Sequence, residues 1–220
     1  MTLKLPLGRA ILVAALFCAA LPAFPPAATA AVAGAPQPGK DESATLDRVA
    51  AYLNGIHTMT ARFQQIAANG GVATGSLWLQ RPGRMRFQYD PPSPVLLIAD
   101  RFYVYYIDRK LEEMQQVGLQ STPAWFLLRD HIRFGGGVRV TRFERGAGVL
   151  RVSLVEGKKP SLGTLTMVLS EHPLALRGWT IVDAEGKKTT VWIANPQFGM
   201  ALDPKLFQYR SPFRNPHNSQ

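Results

Sequence analysis

The chain has 220 residues, with 25 Lys and Arg against 15 Asp and Glu, a formal net charge of +10, and one cysteine. A single thiol excludes a disulfide framework and a thiolate-rich metal site. The length suffices for one domain with a sizeable core.

Taken in chain order, the first feature is an export signal. Lys4 and Arg9 precede an apolar run from Ala10 to Leu21, and Ala28-Thr29-Ala30 offers a small-residue cleavage site. These are the three parts of a secretory signal peptide, read here over residues 1–30. The apolar run is about 12 residues, short of the ~20 that span a bilayer. Cys18 lies inside it and follows Phe17, whereas a lipid-modified cysteine needs a small residue before it. The mature chain is therefore expected to hold no thiol. Lys4 and Arg9 are the signal's only charges, so residues 31–220 keep +10 minus 2, or +8. Outside the cytoplasm such a charge suits anionic lipid headgroups or acidic partner proteins better than nucleic acid. Plain solubility is the alternative.

Residues 31–42 are rich in Pro, Gly and Ala and read as a flexible linker. A helix is expected to open at Ser43 or Thr45, with Leu46, Val49, Ala50 and Leu53 at helical spacing and Asn54-Gly55 as its end. The period then switches to two. Met59, Ala61, Phe63 and Gln65 alternate with Thr60, Arg62 and Gln64. Further strands read at 73–80, 84–90, 95–99, 102–108 and 111–117, with Pro82-Gly83 and Pro91-Pro92 as turns. The stretch "STPAWFLLRDHI" reads as a second helix, with Ser121 and Thr122 before a proline in its first turn. Gly135-Gly136-Gly137 breaks the chain after it. Strands resume at 137–144, 148–155, 162–170, 175–184 and 187–195. About eleven short strands with tight turns make a mainly β fold, one strongly curved antiparallel sheet or barrel in a single domain over 43–213. Residues 214–220 read as a loose tail.

Catalytic signatures are scarce. His57, His131, His172 and His217 have no metal-ligand spacing, and no G-x-S-x-G, H-E-x-x-H or phosphate-loop motif is present. Glu112 and Glu113, adjacent on the strand expected at 111–117, point to opposite faces and make a poor acid/base pair. The chain reads as no enzyme, with no cofactor and no metal.

The apolar faces are more informative. Counting by twos puts Leu77, Leu79 and Arg81 on one face of their strand, and Met85, Phe87 and Tyr89 on one face of the next. Arg84, Arg86 and Gln88 take the other side. Ordinary core is the plain reading of the apolar side. Two features argue for a hydrophobic cavity instead. A curved sheet of about eleven strands encloses more space than its side chains readily fill. The consecutive Trp125, Phe126, Leu127 and Leu128 make a helix apolar on most sides, suited to plug or lid the mouth of the sheet.

The pieces "LDRVAAYLNGIHTMTARFQQ", "GSLWLQRPGRMRFQY", "IADRFYVYYIDRKLEEM", "TPAWFLL", "GWTIVDAEGKKTTVWIAN" and "FQYRSP" occur in this order. Together they resemble the periplasmic outer-membrane lipoprotein carrier family, LolA-type. The "LQRPGRMRF" block and the spacing of Asp183, Gly186, Thr189 and Val191 are the most specific parts. The resemblance implies an unclosed antiparallel barrel with a helical lid over a hydrophobic cavity. It implies a periplasmic monomer that shields lipoprotein acyl chains and carries lipoproteins from an inner-membrane ABC-type release complex to an outer-membrane receptor. A carrier of free lipids or glycolipids, and an envelope-stress sensor on the same fold, are the alternatives. By the resemblance Arg81 is a latch that hydrogen-bonds from inside the barrel to the lid, with backbone carbonyls ending a lid helix as its acceptors. Phe63, Leu77, Leu79, Met85, Phe87 and Tyr89 are expected in the acyl-chain cavity, and Trp125, Phe126, Leu127 and Leu128 in the lid. Ile107 and Glu113 depart from the tyrosine and glutamine usual in the family.

Overall fold

The computed structural model describes residues 40–209. The expected signal peptide, the linker up to residue 39 and the tail lie outside the described residues. The elements in chain order are α1 (Lys40–Asn54), β1 (Thr58–Ile66), β2 (Val72–Gln80), β3 (Arg84–Tyr89), β4 (Val95–Asp100), β5 (Tyr103–Asp108), β6 (Glu113–Gly118), α2 (Trp125–Leu128), β7 (Val138–Gly146), β8 (Val149–Glu156), β9 (Thr164–Glu171), β10 (Leu174–Val182) and β11 (Lys188–Phe198). Three short 3-10 turns cover Leu119–Ser121, Pro160–Leu162 and Pro204–Phe207.

All eleven strands belong to one sheet, in the order β6-β5-β4-β3-β2-β1-β11-β10-β9-β8-β7. Every pairing is antiparallel. Neighbours in space are neighbours in sequence, except where β1 meets β11. The sheet does not close: β6 and β7 are its free edges, and the segment joining them carries α2. The mainly β, unclosed architecture expected from the sequence is therefore what forms. Bulges interrupt β11 between Ala194 and Gln197, opposite Thr60–Arg62 of β1, β10 between Leu176 and Gly178, and β7 between Val140 and Arg142. Each extra residue bends its strand and increases local twist, which helps an open sheet to curl.

Period-two burial follows the apolar alternation. Met59, Ala61 and Phe63 of β1, Leu77 and Leu79 of β2, and Met85 and Phe87 of β3 are buried on the concave side. Leu150, Val152 and Leu154 of β8 and Leu165, Met167 and Leu169 of β9 continue it. The helix α1 adds Leu46, Val49 and Leu53 from one face, and the Tyr52 hydroxyl accepts the Leu176 N–H at 3.0 Å.

Three expectations need correction. The first helix begins at Lys40, so residues 40–42 are helix rather than linker, and neither Ser43 nor Thr45 stands at its start. Asp41 and Glu42 occupy the first turn, where negative charge complements the helix dipole. Thr45 Oγ1 donates back to the Asp41 carbonyl at 2.9 Å. Second, Glu112 sits in the turn between β5 and β6 with φ 54°, so Glu112 and Glu113 are not paired strand neighbours. Third, the surplus space expected inside the curved sheet is small beneath Leu127, where about 20 Å³ is left among Leu53, Met59, Leu79 and Trp179.

One close approach fixes the inner face. A Cβ on Gly75 would lie 2.2 Å from the Gln88 carbonyl oxygen and 2.6 Å from Cε1 of the Phe63 ring. The missing side chain lets that ring lie flat against β2. Gly75→Ala is therefore expected to destabilise the fold by about 1–3 kcal/mol, the usual cost of overpacking. A urea midpoint equal to that of the unsubstituted protein would show that β2 and Phe63 yield freely.

Candidate functional site: the concave face and its lid

The concave face carries a run of aromatic rings. Phe63 meets Phe87 edge-on with centroids 4.8 Å apart, and meets Tyr89 at 5.1 Å. Phe87 in turn meets Trp179 of β10 at 6.3 Å. Such edge-to-face pairs stabilise by about 0.5–1.5 kcal/mol each beyond the area they bury. The run crosses the β1–β11 junction, because Gln65 pairs with Val191 and Val191 with Trp179. Trp179 was not among the residues the sequence singled out for this face. Its signal lay in "GWTIV", where parity with Val191 places the indole inward. Toward the free edge at β6 the face becomes exposed at Tyr106 (43 %) and Val117 (45 %). Of the other aromatics in 78–106, Trp78 and Tyr105 pair with outward residues, and Phe102 and Tyr103 are exposed.

The segment expected to form the lid, α2, is a single turn. Pro123 stands just before α2, and Arg129 ends it in extended geometry, φ −58° and ψ 149°. The expected twelve-residue helix is thus mostly irregular chain. Phe126, Leu127 and Leu128 are buried in the concave core, and Trp125 packs against its rim. Beneath Leu127, bounded by Leu53, Met59, Leu79, Arg81 and Trp179, a space of about 20 Å³ remains. It holds no more than about one water. Of the six residues expected in a cavity, Phe63, Leu77, Leu79, Met85 and Phe87 are buried in this concave core with Phe126, Leu127 and Leu128, and Tyr89 and Trp125 pack against it.

Arg81 faces inward as the parity count required, but it holds a different element. Its Nε donates to the Ile56 carbonyl at 2.7 Å, and Nη2 donates to the same oxygen. Its main-chain N–H donates to the His57 carbonyl at 2.8 Å. Ile56 and His57 form the link between α1 and β1. The carbonyl that ends α2, on Leu128, is taken instead by the N–H of Gly83 at 2.8 Å. Gly83 has φ +76°, and a Cβ there would lie 2.7 Å from Arg101 Cα, so the turn after Arg81 suits glycine. Nη1 of Arg81 is buried without a hydrogen-bond partner among the described residues. Burial lowers the guanidinium pKa, and the charge of Asp130 opposes that shift.

A second fastening joins the end of α1 to the chain after α2. Asn54 closes α1 and grips the chain after α2 from both sides: Nδ2 donates to the Ile132 carbonyl at 3.0 Å, and Oδ1 accepts the Ile132 N–H at 2.8 Å. Arg129, just past α2, pairs with Glu156 of β8 at 2.7 Å. No metal-holding group of His, Cys, Asp and Glu occurs among the described residues. No described helix is long and apolar enough to cross a membrane.

Comparison with known proteins decides the family. The model of the outer membrane lipoprotein carrier protein LolA matches residues 54–210. The chain belongs to the LolA family. An outer-membrane lipoprotein carrier protein of Pseudomonas paraeruginosa is 30% identical over 181 residues, covering 78% of this chain and 86% of the relative. One from Legionella pneumophila is 32% identical over 168 residues, covering 73% and 82%. A solved LolA superfamily structure from Nitrosomonas europaea superposes with a TM-score of 0.40 at 8% identity, over 74% of this chain and 97% of that one. The LolA match includes Arg81, the aromatic run and α2, and leaves most of α1 outside its bounds.

Tyr89 gives this face a measurable titration. Its hydroxyl donates to Gln65 Oε1 at 2.7 Å. Burial pushes the phenol up to about 12, against the hydrogen bond to Gln65, which lowers it. The folded state thus favours neutral phenol over the unfolded chain, where the pKa is near 10. That stabilisation is whole below pH ~10 and is lost as pH climbs toward ~12. Tyr89→Phe has no proton to lose. It is expected to show an alkaline loss of stability smaller by up to about 2 kcal/mol. Identical pH profiles of urea unfolding for the two proteins would contradict a buried Tyr89.

Proposed function

We propose that this protein is a periplasmic, non-enzymatic carrier that shields lipoprotein acyl chains and shuttles lipoproteins between membranes. It receives them from an inner-membrane ABC-type release complex and delivers them to an outer-membrane receptor. The observation that carries the reading is an aromatic concave face sealed by one short turn rather than by a closing strand. The likeness to proteins named as lipoprotein carriers supports it. One acyl chain of about sixteen carbons costs on the order of 12 kcal/mol to expose to water. Cargo of that kind needs a cover that withdraws on delivery. The closed form has no room for an acyl chain, so loading must lift α2 and separate Leu127 from Leu53, Met59 and Trp179. Protein isolated from the periplasm is expected to carry triacylated peptide or protein, identified by mass spectrometry of the bound fraction. Free lipids or glycolipids alone in that fraction, with normal lipoprotein sorting in a depleted strain, would replace this reading.

Arg81 is the proposed latch of the closed form, acting on the α1–β1 link. A part-buried guanidinium with one unmet donor makes closure only modestly favourable, so closed and open forms stay near balance. Arg81→Leu is expected to fold and to accept cargo, because an apolar side chain replaces the cation beside Leu127. Transfer of cargo to the receptor in a reconstituted assay should then fall by about tenfold or more, since the closed form no longer drives release. Full transfer by the variant would remove Arg81 from this role.

A further inference from the structure

The convex face of the sheet carries a second small core. Leu96 and Ile98 of β4 and Ile107 of β5 are buried there, apart from the main core. The chain after β11 covers them. Tyr209 stacks on Tyr105 with centroids 4.9 Å apart and planes 22° from parallel. Between this cover and the sheet lies a half-open pocket of about 460 Å³. That falls in the ~300–1,000 Å³ range of small-molecule sites, whereas the concave remnant does not. The floor is apolar: Leu96, Ile98 and Ile107. The rim is cationic: Arg86, Arg109 and Lys205.

The rim charges are unanswered. None of the pocket's described lining residues is a carboxylate. None of the three cations forms an ion pair among the described residues. Arg86 gives Nη1 to the Leu206 carbonyl at 3.1 Å and Nη2 to Gln88 Oε1 at 3.0 Å. Its Nε is buried without a partner, as is the Tyr209 hydroxyl. Burial lowers the Arg86 pKa, and the like charge of Arg109 lowers it further. Three cations without ion-pair partners, lining the same pocket as an apolar floor, select the ligand by chemistry. A neutral amphiphile would leave the rim unmet, and a bare ion would leave the floor wet. Two guanidinium groups and an ammonium suit the several oxygens of a phosphate better than one carboxylate. The sequence after Tyr209 holds Arg210 and Arg214 and no Asp or Glu, so its charge repeats the rim instead of complementing it.

We propose that this convex pocket binds a phosphate group borne on an apolar stem, the chemistry found at the glycerophosphate end of a phospholipid. It lies on the face opposite the acyl-chain chamber, and it does not rest on the carrier reading.

The test uses the isotope-labelled full chain and amide shifts in NMR, which report the two faces separately. Octyl phosphate is expected to shift the amides of residues 96–98, 105–109 and 205–209 in a saturable way. Octyl glucoside and inorganic phosphate should each bind there weaker by about tenfold or more. Arg109 and Lys205 are both exposed, so the double variant Arg109→Glu, Lys205→Glu should fold. It should lose octyl phosphate binding at these amides by about tenfold, with the amides of Phe63, Met85 and Phe87 unmoved. A matching response to vesicles of phosphatidylglycerol would assign a bilayer lipid, and a response to octyl phosphate alone a free amphiphile; either supports the site. No shift with either, equal binding of octyl glucoside or inorganic phosphate, or unchanged binding by the double variant would overturn it.

Discussion

The pairing of β1 with β11 is the contact on which the rest depends. All other ladders join strands adjacent in sequence and form by short turns. This one joins residues more than a hundred positions apart, as Met59 beside Phe198 shows. It turns two meanders, β1–β6 and β7–β11, into one curved sheet. Only then do Phe63, Phe87 and Trp179 share a face. The free edges β6 and β7 are the necessary remainder, and they leave the chain between them to cover the concave side. The position of α2 is thus a consequence of connectivity: whatever joins β6 to β7 must cross from one free edge to the other.

Much of this was legible because half-buried antiparallel strands announce their faces. Alternation in 59–65, 77–81 and 85–89 separated inward Phe63, Leu77, Leu79, Arg81, Met85 and Phe87 from outward Arg62, Arg84 and Arg86, and the structure keeps that division. Period two is a local property, so it survives without knowledge of partners. The start of α1 is hidden in the sequence because Lys40-Asp41-Glu42 is polar enough to pass for linker. Those same acids favour a helix N-terminus. The apolar run of 125–128 suggests a full helix, but Arg129 leaves helical geometry after one turn. Apolarity reported burial there, not periodicity.

Other features depend on distances that no local pattern encodes. Arg81 could be placed inward by counting, yet its acceptor is 25 residues away. The acceptor expected from the resemblance, at the end of the lid turn, belongs to Gly83. The small space left beneath Leu127 depends on side-chain volume and helix docking together. The convex pocket draws its rim from Arg86, Arg109 and Lys205, in three separated stretches. Nothing in any one of them distinguishes its cation from an ordinary surface charge.

The two-way grip of Asn54 on Ile132 has a bearing on how opening proceeds. Asn54 ends one helix, and Ile132 lies just past the other. A hinge that swung α2 alone would strand both halves of the Asn54 amide, and a hinge that swung α1 alone would do the same. Arg81 adds a third anchor on Ile56, two residues beyond Asn54. Swinging α2 away from α1 and the sheet therefore breaks several hydrogen bonds together: the pair between Asn54 and Ile132, and the one from the Gly83 N–H to the Leu128 carbonyl. Bonds that part together make a half-open arrangement costly, since each buried donor that loses its acceptor before water replaces it pays for desolvation.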